Sequence, residues 1–190
     1  PMTAILKVKV SDLTTDWIEQ IKSSHGDSEI EVRIKAIPKE SLSDNRFWAI
    51  IDSLDWDAED DMSIIEPAVA GVSKLSIAGI YAFQEILTHK LYQLDTPQHA
   101  KAIGEAAYQE NHYFSVDNFL YARACVVANG EETYHTALNE PKEMPKDITF
   151  EPILRIASDA YERKTGRSFY YVASVSYETY SNKEAWEIEV

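Results

Sequence analysis

Residues 76–94, SIAGIYAFQEILTHKLYQL, carry the strongest helical pattern of the 190-residue chain. Ile80, Phe83 and Leu87 recur at spacings of three and four residues, which places their side chains on one face of a helix. Patterns of the same kind continue on both sides of this stretch. We therefore predict a mainly helical, acidic domain of about six helices over residues 46–190.

Capping residues mark other helices, and one later stretch favours a strand. Ser115 is suited to begin a helix, and Pro97 fits the first turn of another helix that we expect to reach about Asn111. Residues 169–177 are rich in aromatic and β-branched side chains, which predicts a strand, and residues 186–190 are a second short candidate. The helical domain is thus expected to contain a C-terminal β segment.

Residues 1–37 predict a small β-α-β unit, joined to the helical domain by a polar linker over residues 38–45. Its two strand segments alternate between apolar and charged residues, and between them Thr14 is suited to cap a helix that ends at Gly26. A unit this small has little core of its own, so it must either pack on the rest of the chain or pair its strand edge with another copy, which would form a homodimer. The predicted fold class is therefore α+β, mainly α.

The negative charge is concentrated in the second part of the chain. The formal net charge is −14, and residues 47–190 carry 11 Lys/Arg against 24 Asp/Glu, a balance of −13. Nucleic-acid binding requires cations that neutralise phosphates, so direct contact with DNA or RNA is not expected. A basic protein partner is electrostatically suited to this domain, and solubility alone also explains an acidic surface.

Carboxylates are densest between Asp52 and Asp61. A solvated loop, a docking surface for a basic partner and a metal site all remain open for this stretch. The stretch lacks the turn glycine of a calcium-binding loop, so we predict no metal. The predicted docking surface, called the acidic patch below, consists of Asp55, Asp57, Glu59, Asp60 and Asp61.

Sequence motifs of the common enzyme classes are not found in the chain. It has no glycine-rich phosphate loop, no CxxC, no HExxH and no nucleophile elbow, and its five histidines lack the spacing of metal ligands. We therefore predict no catalytic residue and no cofactor, and an enzyme is the less favoured reading. The single cysteine, Cys125, lies in an apolar run and is expected to be a buried hydrophobic residue. No apolar run approaches the length of a membrane span, so we expect a cytoplasmic protein that does not bind membranes.

Arg123 is unusual because it lies in the same apolar run. A buried guanidinium requires a partner, which predicts either an ion pair with a carboxylate such as Asp52 or Glu151, or a cleft in which Arg123 holds an anionic ligand. In the second reading Asp117 would act as acid or base, with tyrosines beside it. The candidate ligand- or partner-binding residues are Trp48, Asp52, Tyr108, Asp117, Tyr121 and Arg123.

An ordered set of short motifs runs through the helical domain: Phe47-Trp48-x-x-Ile51-Asp52, Ala106-Ala107-Tyr108, Ser115-x-Asp117-x-Phe119-x-Tyr121-x-Arg123 and Ala157-x-x-Ala160-Tyr161. Over about residues 45–166 this set resembles the bacterial family known as domain of unknown function 4240. The resemblance implies a small helical domain. Through the domains to which some members are joined, it also implies a link to nucleic-acid metabolism. Val116 and Asn118 stand where the family pattern has an acid and a glycine.

Together these features predict a bacterial cytoplasmic interaction protein of antitoxin or immunity type. Its acidic helical domain would engage a basic protein partner. One alternative is an enzyme or ligand-binding protein for a small anionic molecule at Arg123 and Asp117. The other is an accessory protein in nucleic-acid metabolism that does not itself contact nucleic acid.

Overall fold

The computed structural model of the chain describes Val8, residues 12–28 and residues 42–187. The chain divides into two compact units, Pro1–Ala36 and Ile37–Val190. Across the described residues there are α-helices and short 3₁₀ turns but no β-strand. The helices are α1 (Thr15–His25), α2 (Asp44–Ile51), α3 (Asp61–Ser73), α4 (Ile77–Gln93), α5 (Pro97–Ala100), α6 (Val116–Ala128), α7 (Glu131–Asn139) and α8 (Ile156–Thr165).

Helix α1 is the described element of the first unit. Thr14 Oγ1 accepts a hydrogen bond from the Trp17 backbone N–H at 3.2 Å, which confirms the predicted cap. The helix ends directly before Gly26, and none of its residues is buried. The two strands predicted around α1, including the edge proposed for homodimer formation, lie outside the described residues.

Helix α6 lies at the centre of the second unit. Nine of its thirteen residues are buried, which is the pattern of a helix enclosed on all sides. It packs against α4 and α7, while α8 packs along α3 and against α4. The predicted caps and faces are confirmed here. Ser115 Oγ accepts from the Asn118 backbone N–H at 3.2 Å, and Ile80, Phe83 and Leu87 of α4 are completely buried.

The predicted α+β class is wrong for the described residues, because residues 169–177 form no strand. Their side chains do alternate between two environments, and Tyr170 and Val172 are 87% and 82% exposed. No strand of the described chain lies beside this segment. It crosses α4 instead, where the Ser174 backbone N–H donates to a carboxylate oxygen of Glu85 at 3.0 Å.

The second predicted strand is also absent from the described chain. Trp186 and Glu187 lie in a turn, and residues 188–190 are outside the described residues. The Trp186 backbone N–H donates to the Asn182 carbonyl at 3.1 Å, so this end of the chain folds back on itself. The described part of this segment is therefore a local turn and not a strand.

The helix predicted from Pro97 to about Asn111 is much shorter, because only α5 forms. Gly104 has a φ of +98°, which turns the chain out of the helical path. Asp147 reinforces the turn, since its carboxylate accepts from the Glu105 backbone N–H at 2.6 Å. The turn at Gly104 and its hydrogen bond to the distant Asp147 therefore prevent the helix that the periodicity predicts.

Candidate functional site

Arg123 is completely buried in α6 and has no exposed guanidinium. Its Nη1 donates to the carbonyls of Leu91 and Tyr177, each at 2.9 Å, and its Nη2 donates to Thr179 Oγ1 at 3.0 Å. The guanidinium carbon lies 4.6 Å from the centre of the Phe119 ring. Protein groups therefore occupy both terminal nitrogens, and Arg123 lines neither of the two cavities described below.

The charge of Arg123 is compensated by distributed groups rather than by one ion pair. Burial lowers the pKa of Arg123 to about 10, while the negative charges of Asp95 and Glu178 oppose that shift. The side chain therefore remains protonated at neutral pH. Asp52 and Glu151, which the sequence suggested as partners, are absent from its hydrogen bonds and from these nearby charges.

Asp95, which the sequence analysis did not select, anchors the end of the described chain. It is completely buried and accepts from the backbone N–H groups of Tyr180 at 3.2 Å and Asn182 at 3.0 Å. The indole Nε1 of Trp186 donates to it at 2.9 Å. Arg123 and Asp95 thus fix the C-terminal segment (residues 169–187) to the helical core from two sides. The available signal was a single acid in the short junction between α4 and α5.

The other predicted binding residues are spread over the second unit. Asp117 is exposed in the first turn of α6, Asp52 is exposed at the end of α2, and Tyr121 is half-buried. Tyr108 packs edge-on against Phe114, with ring centres 5.3 Å apart. Neither of the two cavities described below is lined by any of the six predicted residues.

Trp48 belongs to a buried aromatic cluster around a lysine. The ammonium group of Lys90 lies 4.7 Å from the centre of the Trp48 ring and 5.0 Å from that of Tyr134. Lys90 also forms an ion pair with Asp44 at 3.2 Å, and Tyr134 donates to Gln93 at 2.7 Å. Lys90 itself occupies this cation–π site, which links α2, α4 and α7.

The acidic patch lies in the exposed turn between α2 and α3 and at the start of α3. Within the patch, Asp60 caps α3: one of its carboxylate oxygens accepts from the backbone N–H groups of Met62 at 3.0 Å and Ser63 at 2.9 Å. The backbone hydrogen bond from Ser63 is the main cause of the lowered pKa of Asp60. No ion pair between described residues involves the acidic patch, so its charges face solvent.

Trp56 lies within this acidic turn and is 49% exposed. Its ring centre is 4.9 Å from that of Phe150, a residue almost a hundred positions later. The two rings line a cavity of about 310 Å³, called the Trp56 groove below. Its other lining residues are Cys125, Asn129, Thr133, Pro145, Ile148 and Thr149.

The Trp56 groove is mainly apolar and carries a second exposed hydrophobic residue, Ile148, at 57% exposure. Cys125 contributes to its floor, and burial raises the pKa of the Cys125 thiol. The thiol is therefore protonated at neutral pH and acts as apolar lining. In the sequence Trp56 lies among acids, and no local pattern relates it to the distant residues that complete the groove.

Further exposed carboxylates lie at the end of α2 and at the start of α7. Gly130, with a φ of +93°, precedes α7, and a Cβ at this position would lie 3.2 Å from the Asp52 carboxylate. The first turn of α7 begins with the exposed residues Glu131 and Glu132. Gly130 therefore lies against Asp52, and two exposed acids follow it directly along the chain.

Two absences concern the described residues only. No group of three or more His, Cys, Asp or Glu among them is arranged to hold a metal ion. No helix in the described part of the chain is both long and apolar enough to cross a lipid bilayer.

Comparison with known proteins identifies one family. A family model described as "Protein of unknown function (DUF4240)" matches residues 42–163, which is more than half of the chain. The match confirms the resemblance stated from the sequence motifs. Searches of curated proteins and of solved structures gave no significant match.

Proposed function

Starting from the finding that the chain belongs to the family described as "Protein of unknown function (DUF4240)", we propose that it is a bacterial cytoplasmic interaction protein. Its ligand is a basic segment of another protein that carries an apolar anchor residue. The observation behind the proposal is that Trp56 belongs to both the acidic turn and the apolar groove. One surface therefore offers charge and an aromatic contact side by side.

The Trp56 groove supplies the apolar contact. Tryptophan is enriched among the few interface residues that carry most of the binding energy, especially where neighbouring contacts exclude water. Trp56 is half exposed while its ring is held against Phe150, so a partner would meet an already positioned side chain. Such pre-organisation reduces the entropic cost of binding.

The acidic patch supplies attraction and selectivity for positive charge. Its carboxylates have no ion-pair partners among the described residues, so Lys or Arg side chains would not have to displace internal cations. Opposite charges at the rim of an interface mainly raise the association rate, and salt screens them. Binding is therefore expected to weaken as ionic strength rises.

Charge complementarity suggests a class of partner. A protein that binds or cleaves nucleic acid presents Lys and Arg to phosphates, and an acidic surface that covers these residues would block its access. An antitoxin or immunity protein would act in this way, by covering the basic surface of its partner. It also gives an indirect link to nucleic-acid metabolism, without contact between this acidic chain and phosphate.

The arrangement around Arg123 does not favour the enzyme alternative. An anionic substrate would have to displace the Leu91 and Tyr177 carbonyls and Thr179 from the guanidinium. Asp117, the proposed acid or base, is exposed in the first turn of α6 and is absent from the hydrogen bonds and the nearby charges of Arg123. We therefore assign Arg123 to the support of the C-terminal segment.

The proposal is tested by parallel capture from host lysate with the intact chain and two variants. Trp56→Ala removes the apolar anchor, and Asp57→Asn/Glu59→Gln/Asp61→Asn neutralises three charges while keeping the Asp60 cap. A basic protein retained by the unchanged chain and lost from both variants is then purified. Its affinity for each chain is measured by calorimetry.

We expect Trp56→Ala to weaken binding by about thirty-fold, the loss of a hot spot of about 2 kcal/mol. The triple variant should bind more weakly at low salt and should lose most of the salt dependence of binding. A matched control, Glu105→Gln/Glu110→Gln/Glu162→Gln, removes three exposed charges elsewhere in the same unit and should bind as the unchanged chain. Equal loss with this control, or full binding by Trp56→Ala, would contradict the proposed surface.

A further inference from the structure

A second cavity lies between the C-terminal segment and helices α4 and α8. Its volume is about 390 Å³, within the range of about 300–1,000 Å³ that is usual for small-molecule sites. Phe169, Tyr171 and Tyr177 supply aromatic lining, and Leu154 and Val175 add aliphatic lining. None of these residues belongs to the Trp56 groove, so the cavity is a separate feature.

Two buried polar residues of α4 also line this cavity. Gln84 is 8% exposed and Thr88 is 1% exposed, one helical turn apart. Gln84 Nε2 donates to Thr88 Oγ1 at 3.2 Å, which fixes the orientation of both side chains. Buried polar groups in an otherwise apolar lining are costly unless their hydrogen bonds are satisfied. We name this feature the Gln84 cavity.

The internal hydrogen bond uses only part of the capacity of the pair. A glutamine amide has two donor protons and an acceptor oxygen, and a threonine hydroxyl is both donor and acceptor. Within the described chain, the bond between Gln84 and Thr88 is the single side-chain hydrogen bond that either residue makes. The Gln84 Oε1 acceptor and the Thr88 hydroxyl proton therefore belong to two neighbouring lining residues and have hydrogen-bonding capacity that this bond does not use.

The charge of the lining restricts the ligand. Glu178 is the one ionisable acid among the described residues that line the cavity, and none of them is Lys, Arg or His. The nearby guanidinium of Arg123 is directed to Tyr177 O and Thr179 Oγ1. A carboxylate or phosphate would lose its hydration beside Glu178 without gaining a cation.

From these features we infer that the Gln84 cavity binds a small, uncharged planar molecule that presents a hydrogen-bond donor and acceptor along one edge, as a primary carboxamide does. The ligand N–H would donate to Gln84 Oε1, and the ligand carbonyl would accept from the Thr88 hydroxyl. The ring would lie between the aromatic side chains of the C-terminal segment. This site is independent of the proposed docking surface.

Matched pairs of ligands that differ in one group provide the test. Nicotinamide and benzamide are compared with nicotinate and benzoate by saturation-transfer NMR and by titration of the ¹⁵N-labelled intact chain. We expect saturable binding of both amides with a Kd of about 1 mM or tighter, as suits such small ligands. The acids should bind at least about ten-fold more weakly, because a buried charge lacks a partner here.

Two variants locate the site. Gln84→Met keeps the side-chain length and Thr88→Val keeps its shape, and each should weaken amide binding about ten-fold through one lost buried hydrogen bond. Gln109→Met, at an exposed position outside the lining, should leave the Kd unchanged. No saturable binding of either amide, equal binding of the acids, or unchanged binding by both folded variants would overturn the inference. If a variant fails to fold, the comparison of amides with acids on the unchanged chain still tests the inference.

Discussion

Replacing Asp95 by Asn should destabilise the second unit strongly. The buried Asp95 carboxylate accepts hydrogen bonds from Tyr180 N, Asn182 N and Trp186 Nε1 at 2.9–3.2 Å. Asparagine offers one oxygen, and its NH₂ group would face a donor. The substitution also removes a negative charge that supports protonation of the buried Arg123.

The expected magnitude comes from these contacts. A hydrogen bond to a charged group contributes about 1.5–3 kcal/mol, and a buried donor left unpaired costs about 1–3 kcal/mol. The two effects overlap because both arise from one carboxylate, so we expect a total loss of about 2–4 kcal/mol in the free energy of unfolding. This is a large share of the about 5–15 kcal/mol that is usual for a folded protein.

Urea unfolding followed by circular dichroism measures this loss, with Asp117→Asn as the matched control. Asp117 is exposed, so its substitution should change the free energy of unfolding by at most about 0.5 kcal/mol. Hydrogen exchange should also become faster at the amides of Tyr180 and Asn182. A loss below about 1 kcal/mol in Asp95→Asn, with unchanged exchange at these amides, would refute the anchoring role of Asp95.

Two further predictions concern pH and backbone geometry. Burial lowers the pKa of His99 from its ordinary value of 6.5, while its hydrogen bond to the Ala137 carbonyl partly opposes the shift. As pH falls below 6.5, the unfolded chain takes up the proton first, so stability measured by urea unfolding should be lower at about pH 5.5 than at about pH 7.5. His99→Gln should reduce that difference, and an undiminished difference would contradict the assignment. Gly104→Ala should lower the free energy of unfolding by about 1–3 kcal/mol, because φ is +98° and a Cβ would overlap Asp147. Gly71→Ala should raise it by about 0.5–1 kcal/mol, because Gly71 lies within α3 and a Cβ there meets open space. Equal effects of the two substitutions in thermal melts would contradict this reasoning.

Local signals in the sequence predicted the helices well. Ser115 and Thr14 cap helices as expected because capping depends on residues only three positions apart. The face of α4 was predicted because apolar spacing reports directly on burial. The strand at residues 169–177 was wrongly predicted, since alternation shows an extended chain with two faces but does not reveal whether its neighbour is a strand or a helix.

Features that depend on distant parts of the chain were not predictable in this way. Asp95 receives its hydrogen bonds from residues about ninety positions later, and Trp56 meets Phe150 across a similar separation. No periodicity relates such positions. The acidic patch was identified because charge density is a local property, whereas the groove beside it required the three-dimensional structure.

The most direct test of the docking surface is a hydrogen-exchange footprint of the complex with the captured basic protein. We predict slower exchange at residues 55–61 and 146–150, which contain the acidic patch and part of the Trp56 groove. Exchange at residues 169–178 should remain unchanged. Protection confined to residues 169–178, or no protection at residues 55–61, would contradict the claim that Trp56 and the acidic patch form one binding surface.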